Sequence, residues 1–513
     1  MAVDSDQKKT LELPDAPTKQ SNGKEDLYSE LYEFRDPIHG LIPLNKAERN
    51  IIDTEVFQRL RNIRQLGTSY KVYHGAEHTR FGHSIGVMHL VGKVFDSLWQ
   101  RLNYLGVQAD EFNRLRQTAR IAGLLHDIGH APFSHVGENK RYGLFRKLQD
   151  VDGKERDGHE VYSRLIIKNI LGDYINKFFG PLEIKVEDVL TILIGKTSDK
   201  HLRFVDDILS GQLDADKMDY LLRDSHYCGV QYGKYDLHKF LSSLTICRSE
   251  QDEWQLGLSI DGVNVAEEFI FARYWMFLQV YFHKTRRIYD YYLSSYLKSI
   301  FPSGYPLDLI QYIELNDNEI LQRIYRDAKA GTNNWAKCFY ERNHSSEAFV
   351  SKPHLEENEE KQQDDKDHVT WVIEKFEEKY PPQNDPLSYY VDQAKGTAAK
   401  ELITIKTFLE EAEEESEHRL PAIPIRLKYT NKIIPIQEMS IPIKHISDKE
   451  INVLRIYSPK KHVEKTRGFC NSLFYNEYIE YKREMEVTRR KFEELQAKLE
   501  KDRSDSKRRK EKY

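Results

Sequence analysis

Residues 121–135 read IAGLLHDIGHAPFSH, an apolar segment that runs into a cluster of histidines. Ile121, Ala122, Leu124 and Leu125 make an apolar run suited to a buried helix. The run meets an adjacent pair, His126 and Asp127, and His130 and His135 follow closely. One such group passes for a hydrogen-bonded core histidine. Three imidazoles and a carboxylate at one helix end call for chemistry. Neighbours on a regular helix point about 100° apart, so His126 and Asp127 can face one ion only where the helix ends. Gly129 and Pro132 mark such an ending.

On both sides the helical period continues. In DTEVFQRLRNIRQLG (53–67) Val56, Phe57, Leu60, Ile63 and Leu66 fit one helix face, and Gly67 is a stop. SIGVMHLVGKVFDSLWQRL and NRLRQTARIAGLL repeat the pattern. The reading is a mostly α protein: an all-helical core over 31–301, then a smaller C-terminal α/β lobe over 302–474. ELITIKTF, IRLKYTNKIIPI and INVLRIYS supply that lobe's β-branched strands. Residues 1–30 read as a disordered arm and 475–513 as a charged helical tail. The acidic stretches EENEEKQQDDKD (356–367) and EEAEEESEH (410–418) read as solvated loops or exposed helix faces.

The 513 residues carry 39% hydrophobic and 31% charged side chains, a globular profile. No apolar run reaches the roughly 18–20 residues that span a bilayer, and the polar N-terminus lacks the apolar segment of a secretory signal. Cys228, Cys247, Cys338 and Cys470 are scattered without CxxC spacing, which argues against a thiolate zinc site or a disulfide framework and for a reducing compartment. The expected location is the cytoplasm, with the nucleus open because KRRK (507–510) matches a localisation signal or a nucleic-acid contact as well as a solvated helix end. EMEVTRRKFEELQAKLEK has too few heptads to settle a coiled coil. With a net charge of −5, a polyanion would have to be held by a local cation cluster.

A divalent transition metal in a hydrolase takes several N and O ligands and leaves a position open. RFGHS offers His83, with Arg80 one turn before it, and QLDADKMDYLLRD offers Asp216. A lone His-Asp dipeptide means little, and His83 alone would pass as a polar helix start. RFxHS, HDIGHxPFSH and DxDxxDYLxRD in this order resemble the ligand pattern of the HD phosphohydrolase superfamily. More closely, RDPIHG (35–40), DTEVFQRLRNIRQLG, GAEHTRFGHSIGV (75–87), HDIGHAPFSH, GHE (158–160), DADKMDYLLRDSHYCGV (214–230) and VYFHK (280–284) are similar to the SAM and HD domain-containing dNTP triphosphohydrolases. LRIYSPKK (454–461) adds a weaker match. A thirty-residue arm is too short for a sterile-alpha-motif domain, so the likeness is to the catalytic part.

The resemblance implies an enzyme that converts a dNTP and water to a deoxynucleoside and triphosphate. It implies His83, His126, Asp127 and Asp216 as ligands of iron, zinc or manganese, with Mg on the triphosphate. His135 would be the general acid, with His130 an alternative; His159 would line the same pocket, and Glu160 or Glu138 would orient these rings, although the family usually has Asp where Glu138 stands. Arg80, Lys217, Tyr220 and Arg273 would meet the phosphates, with Lys284 a further cation, although Arg273 and Lys284 would equally cover core aromatics. Arg273, Phe277, Tyr281 and Lys284 lie on one stripe if the segment is a single long helix. Gln65 and Asp224 would bond the 3′-hydroxyl, and Leu66 and Tyr281 would crowd a 2′-hydroxyl unless they are only core. Asp53, Gln58 and Arg61 match a site that binds an activating guanine nucleotide or dNTP in animal members; otherwise Asp53 is a helix cap. Against that transfer, Tyr32 stands where those members have a phosphate-binding Lys, and Lys239 lies near a position that is often Arg. A homodimer or homotetramer is implied. Nucleic acid is a secondary partner, and no membrane partner is expected. The alternative reading keeps the metal and changes the substrate: an HD-type phosphodiesterase or nuclease acting on a signalling nucleotide or single-stranded nucleic acid. A third, from another class, is a nucleotide-binding scaffold, which has no need of a full ligand set.

Overall fold

The two strongest helical repeats frame the first unit of the computed structural model, which describes residues 32–195, 197–249, 251–353, 359–397, 423–428, 430, 432–447, 450–487 and 490–491. Helix Arg80–Tyr104 packs on helix Ala109–Leu125. Both bury side chains around most of their circumference, as core helices with more than one apolar face do. Gly92 on the first admits Arg120 of the second, since a Cβ there would stand 2.7 Å from its Nη1. Arg120 holds Glu48 with Nε–Oε1 at 2.7 Å and Nη2–Oε2 at 2.8 Å. Burial opposes ionisation of Glu48, but Arg120, Gln117 and the Asn45 N–H together lower its pKa. A buried carboxylate is tolerable only when paired and hydrogen-bonded in this way. Glu48 also closes the capping box that starts helix Lys46–Ile52.

Two local expectations change. DTEVFQRLRNIRQLG is helical only over Glu55–Gln58, followed by a 3-10 turn Arg59–Asn62. Ile63 and Leu66 are buried without being helical, because Arg64 bridges to Thr79 and Gln65 N–H donates to the His78 carbonyl. Gly67 does end the segment at φ +52, and a Cβ there would stand 2.6 Å from Val136 Cγ2. The stripe from Arg273 to Lys284 is not one helix. Helix Val263–Met276 passes into a π-turn Phe277–Tyr281, the helical path stops at Phe282, and helix Lys284–Ile300 begins after the His283 cap. The π-turn offsets the register, so the i, i+4 spacing past Met276 no longer describes one face.

Among the described residues, those within Met1–Tyr340 and Thr397–Asp448 form one unit and those within Glu341–Gly396 and Lys449–Tyr513 another. This differs from the linear boundaries at 301 and 474. Pro424–Arg426 pairs in parallel with Trp254–Ser259, joined by Leu244–Arg248 and Ile433–Pro435 in a four-stranded sheet. IRLKYTNKIIPI therefore serves the first unit, by a pairing that local composition does not encode. In the second unit Glu450–Ser458 lies between Ser346–Val350 and Tyr390–Thr397, over a core of Phe349, Val372, Phe376, Leu454, Ile456 and Cys470. The fold is mostly α with small sheets toward the C-terminus, and the four cysteines are buried and in no disulfide. From Glu359 the acidic stretch 356–367 lies in helix Glu359–Lys379. Residues 1–30, 401–408, 410–418 and 507–510 lie outside the described residues, as does most of 484–501. No helix among the described residues is long and apolar enough to cross a membrane.

Candidate active site

Three elements of the first unit converge. His83 sits in the first turn of helix Arg80–Tyr104, His126 caps the end of Ala109–Leu125, and Asp216 opens helix Ala215–Cys228. One ligand atom from each lies within 4.8 Å of the others. Asp216 Oδ1 is 3.0 Å from His83 Nε2 and 3.8 Å from His126 Nε2. His83 Nδ1 is 2.8 Å from Asp219 Oδ2, and His126 Nδ1 is 2.8 Å from the Gly123 carbonyl. Nδ1 is thus the engaged nitrogen of each ring, and Nε2 turns inward. Neither buried Nε2 has a hydrogen-bond partner among the described residues. Two oriented imidazole nitrogens and a carboxylate fit a divalent transition ion, and buried polar atoms without partners otherwise carry a penalty. Burial works against a charged His83, yet Asp216 and Asp219 lift its pKa to about 10, a measure of how negative the cluster is.

Asp127 is beside this group, with Oδ2 3.5 Å from His83 Nε2 and Oδ1 3.3 Å from His126 Nε2. Arg80 donates to Asp127 Oδ2 and, at 2.7 Å, to Ser134 Oγ. Burial opposes its charge, but Arg80, His126 and His130 hold the carboxyl well below the usual range. Arg80, expected on the phosphates, is thus committed to Asp127.

A second cluster adjoins the first through His130, whose Nε2 is 3.2 Å from Asp127 Oδ1. Glu138 gathers three rings by their Nδ1 atoms: His130 at 2.5 Å, His159 at 2.9 Å and His135 at 3.1 Å. His130 and His159 stack with centroids 3.7 Å apart. Burial opposes ionisation of Glu138, but the three imidazoles hold its pKa well below the usual range. Burial and Arg80 push His130 down to about 4 against the pull of Glu138. His130 is 1% exposed whereas the His135 side chain is 66% exposed, so of the two His135 is the one open to an incoming molecule. Glu160 turns to Arg164 instead. The chain reaches this layout through two successive left-handed residues, Phe133 and Ser134. Asp317 secures them by accepting the Phe133 N–H at 2.7 Å and the Arg64 N–H at 3.0 Å.

The remaining expected contacts divide. Arg273 is buried with no ion pair or hydrogen bond among the described residues, its guanidinium lying over Phe277. Gln65 Oε1 is also buried and unpartnered. Lys217 instead bonds Asp214 and the Gly211 carbonyl. Asp224 accepts from His78 Nε2 at 2.9 Å and from the Tyr281 hydroxyl at 2.7 Å. The Tyr220 and Tyr281 rings meet edge to face, and Leu66 is buried. Lys284 begins the next helix. Asp53 caps the C-terminal end of Lys46–Ile52 and pairs with Arg49 at 3.3 Å, while Gln58 Oε1 accepts from Arg61 Nε at 2.7 Å. Arg61 alone of the three lines a cavity with Phe34, Phe81, His78 and Arg223. Its guanidinium lies 3.5 Å over Phe81, and Tyr32 lies under Arg49.

Sequence reasoning passed over Asp219, His78, Asp317 and Ser134. Asp219, His78 and Ser134 lie inside quoted motif blocks, which was the available signal. Asp317 comes from a segment with no motif at all.

Residues 80–224 match the HD domain family and residues 236–372 match the HD associated region. The uncharacterized protein YwfO of Bacillus subtilis is 34% identical over 320 residues, covering 58% of this chain and 66% of that one. The uncharacterized protein MJ1154 of Methanocaldococcus jannaschii is 34% identical over 303 residues, 57% of each. The human deoxynucleoside triphosphate triphosphohydrolase SAMHD1 is 32% identical over 325 residues, 57% of this chain and 50% of its own. The chain thus spans between half and two thirds of the length of these curated relatives. A solved structure of a hypothetical protein from Aquifex aeolicus matches with a TM-score of 0.64 at 26% identity, covering 86% of this chain and 99% of that one. A phosphohydrolase from Bacteroides thetaiotaomicron shares the fold at a TM-score of 0.61 and 24% identity, over 84% and 100% of the two chains.

Proposed function

Because the chain belongs to the HD phosphohydrolase superfamily, we propose that it is a metal-dependent deoxynucleoside triphosphate triphosphohydrolase. The observation that carries this reading is the pair of bare, buried Nε2 atoms of His83 and His126 facing Asp216. His83, His126 and Asp216, with Asp127 beside them, would hold iron, zinc or manganese. Such an ion acidifies water and neutralises charge growing on a phosphoryl oxygen.

The residues of the chain do the rest. Arg273, a buried cation without a counter-ion among the described residues, receives the triphosphate, which itself carries Mg, since a buried charge left unpaired is costly. Tyr220 and Lys217 flank it, Lys217 on exchanging Asp214 for phosphate. Gln65 Oε1 takes the 3′-hydroxyl with Asp224, whose two donors His78 and Tyr281 fix its plane. Leu66 and Tyr281 leave a 2′-hydroxyl without a partner, which costs on the order of 1–3 kcal/mol. The oxygen of a water bonds to the α-phosphorus as the bond to O5′ breaks, the water's proton leaves to solvent, and O5′ takes a proton. His135 supplies it, its Nδ1 steadied by Glu138, while His130 and His159 complete the pocket wall. Arg61 over Phe81 in the adjoining cavity supports activation by a guanine nucleotide or dNTP, with Gln58 steadying Arg61 and Asp53 at the nearby helix end. Assembly as a homodimer or homotetramer belongs to the same reading.

The test is to incubate metal-loaded protein with each dNTP and NTP, with and without GTP, and separate the products. Deoxynucleoside plus triphosphate is expected. Stepwise phosphate release overturns the reading, and turnover of oligonucleotides alone overturns it in favour of a phosphodiesterase or nuclease.

A further inference from the structure

The RDPIHG hairpin turn has no part in the chemistry above, yet it reaches into the site. Strands Tyr32–Asp36 and Gly40–Leu44 pair antiparallel. Between them Asp36 accepts the N–H groups of Ile38 and His39, which sets the turn and points the His39 ring inward. His39 Nε2 is 2.7 Å from Asp219 Oδ1. Arg223, one turn beyond Asp219, donates to both of its oxygens at 2.8 and 2.9 Å and to Asp36 at 2.8 Å. Asp219 Oδ2 then takes the His83 Nδ1–H at 2.8 Å. Asp219 is fully buried, with His39, His83 and Arg223 on its two oxygens. Gly86, on the His83 helix, makes the room: a Cβ there would stand 2.0 Å from Asp219 Oδ1 and 2.6 Å from Arg223 Nη2.

We infer that Asp219, clamped by His39, Arg223 and Asp36, is the positioning residue that locks His83 with a bare Nε2 toward His126 and Asp216, making the hairpin turn the outer wall of the ion site. This rests on the proposed metal reading. A ligating imidazole held by a carboxylate on its other nitrogen keeps one tautomer and one ring orientation, and loss of that partner costs roughly 10–100-fold in metal affinity. Asp219→Asn presents an amide N–H either to His83 Nδ1–H and Arg223 or to His39 and Arg223, so one donor meets another in both rotamers.

The full chain is stripped with a chelator and reloaded with Co(II). Stoichiometry is read by elemental analysis, affinity by chelator competition, and ligand geometry by the visible absorption of Co(II). Wild type is expected to bind one equivalent, and His83→Ala to lose it. Asp219→Asn is expected to weaken Co(II) roughly 10–100-fold and to shift its visible bands. His39→Gln, which removes a single donor and serves if Asp219→Asn does not fold, is expected to weaken it several-fold with the same band shift. Unchanged affinity and spectrum in the folded variants, beside normal wild-type binding, overturns the positioning role alone. Absence of stoichiometric binding in wild type overturns the metal reading itself.

Discussion

At the scale of single residues, burial and charge separate groups that look alike in the sequence. Arg80, Lys217 and Arg273 read equally as phosphate cations, but Arg80 is spent on Asp127 and Lys217 is held by Asp214, which leaves Arg273 without a counter-charge among the described residues. Arg273→Ala is expected to raise KM for a dNTP roughly 10–100-fold with a smaller effect on kcat, as loss of a charge-assisted hydrogen bond of about 1.5–3 kcal/mol implies; steady-state kinetics checks it. On helix Arg203–Ser210, burial pushes the Asp207 carboxyl up to about 7, although it accepts the Leu256 N–H. The folded state therefore binds more protons than the unfolded chain between about pH 4 and pH 7, and stability falls as pH rises through that window. Asp207→Asn is expected to melt with wild type at pH 4 and above it at pH 8, by on the order of 1–2 kcal/mol once partial solvent access is allowed for. Thermal melts at both pH values decide this. His83, His126, Asp127 and Asp216, the proposed ligands, were singled out by motif order. Which nitrogen each of the two rings turns inward was not legible, because the Asp219 and Gly123 partners are chosen by packing.

At the scale of elements, helix ends matter more than helices. The long apolar repeats were readable because a 3.6-residue period repeats over many residues. The turn from His126 to Glu138 was readable only as a break, since its left-handed Phe133 and Ser134 are imposed by Asp317 from a remote helix. Gly129 shows how tight the joint is, for a Cβ there would meet Ser163 N at 2.2 Å and His159 O at 2.4 Å. Both are backbone atoms of the His159 helix and cannot yield singly. Gly129→Ala is expected to cost about 1–3 kcal/mol and to lower kcat by displacing His159 relative to Glu138. Gly153→Ala, at φ +80 with open space around it, is expected to cost less and leave kcat unchanged. Denaturant melts and kinetics on both variants compare them.

At the scale of the whole molecule, the chain leaves the first unit after residue 340 and returns by 397. The returning strand Pro424–Arg426 pairs with Trp254–Ser259, so truncation after residue 396 is expected to destabilise the first unit, seen as loss of a cooperative melt and faster proteolysis. An ion bound only by the folded state adds RT ln(1 + [L]/Kd) to stability. Chelation is therefore expected to lower Tm, His83→Ala to start at the lower value, and chelator to leave that variant unchanged.

Along the chain, the 3.6-residue period makes the helical core legible and motif order carries the superfamily resemblance, through which His83, His126, Asp127 and Asp216 are proposed as ligands. Only the tertiary structure decided which cation lacks a partner, which nitrogen each imidazole bares, that Glu138 gathers three rings, and that strands beyond residue 420 complete the first unit. These depend on contacts between residues far apart in sequence, and a buried polar atom takes its role from what packing sets opposite it.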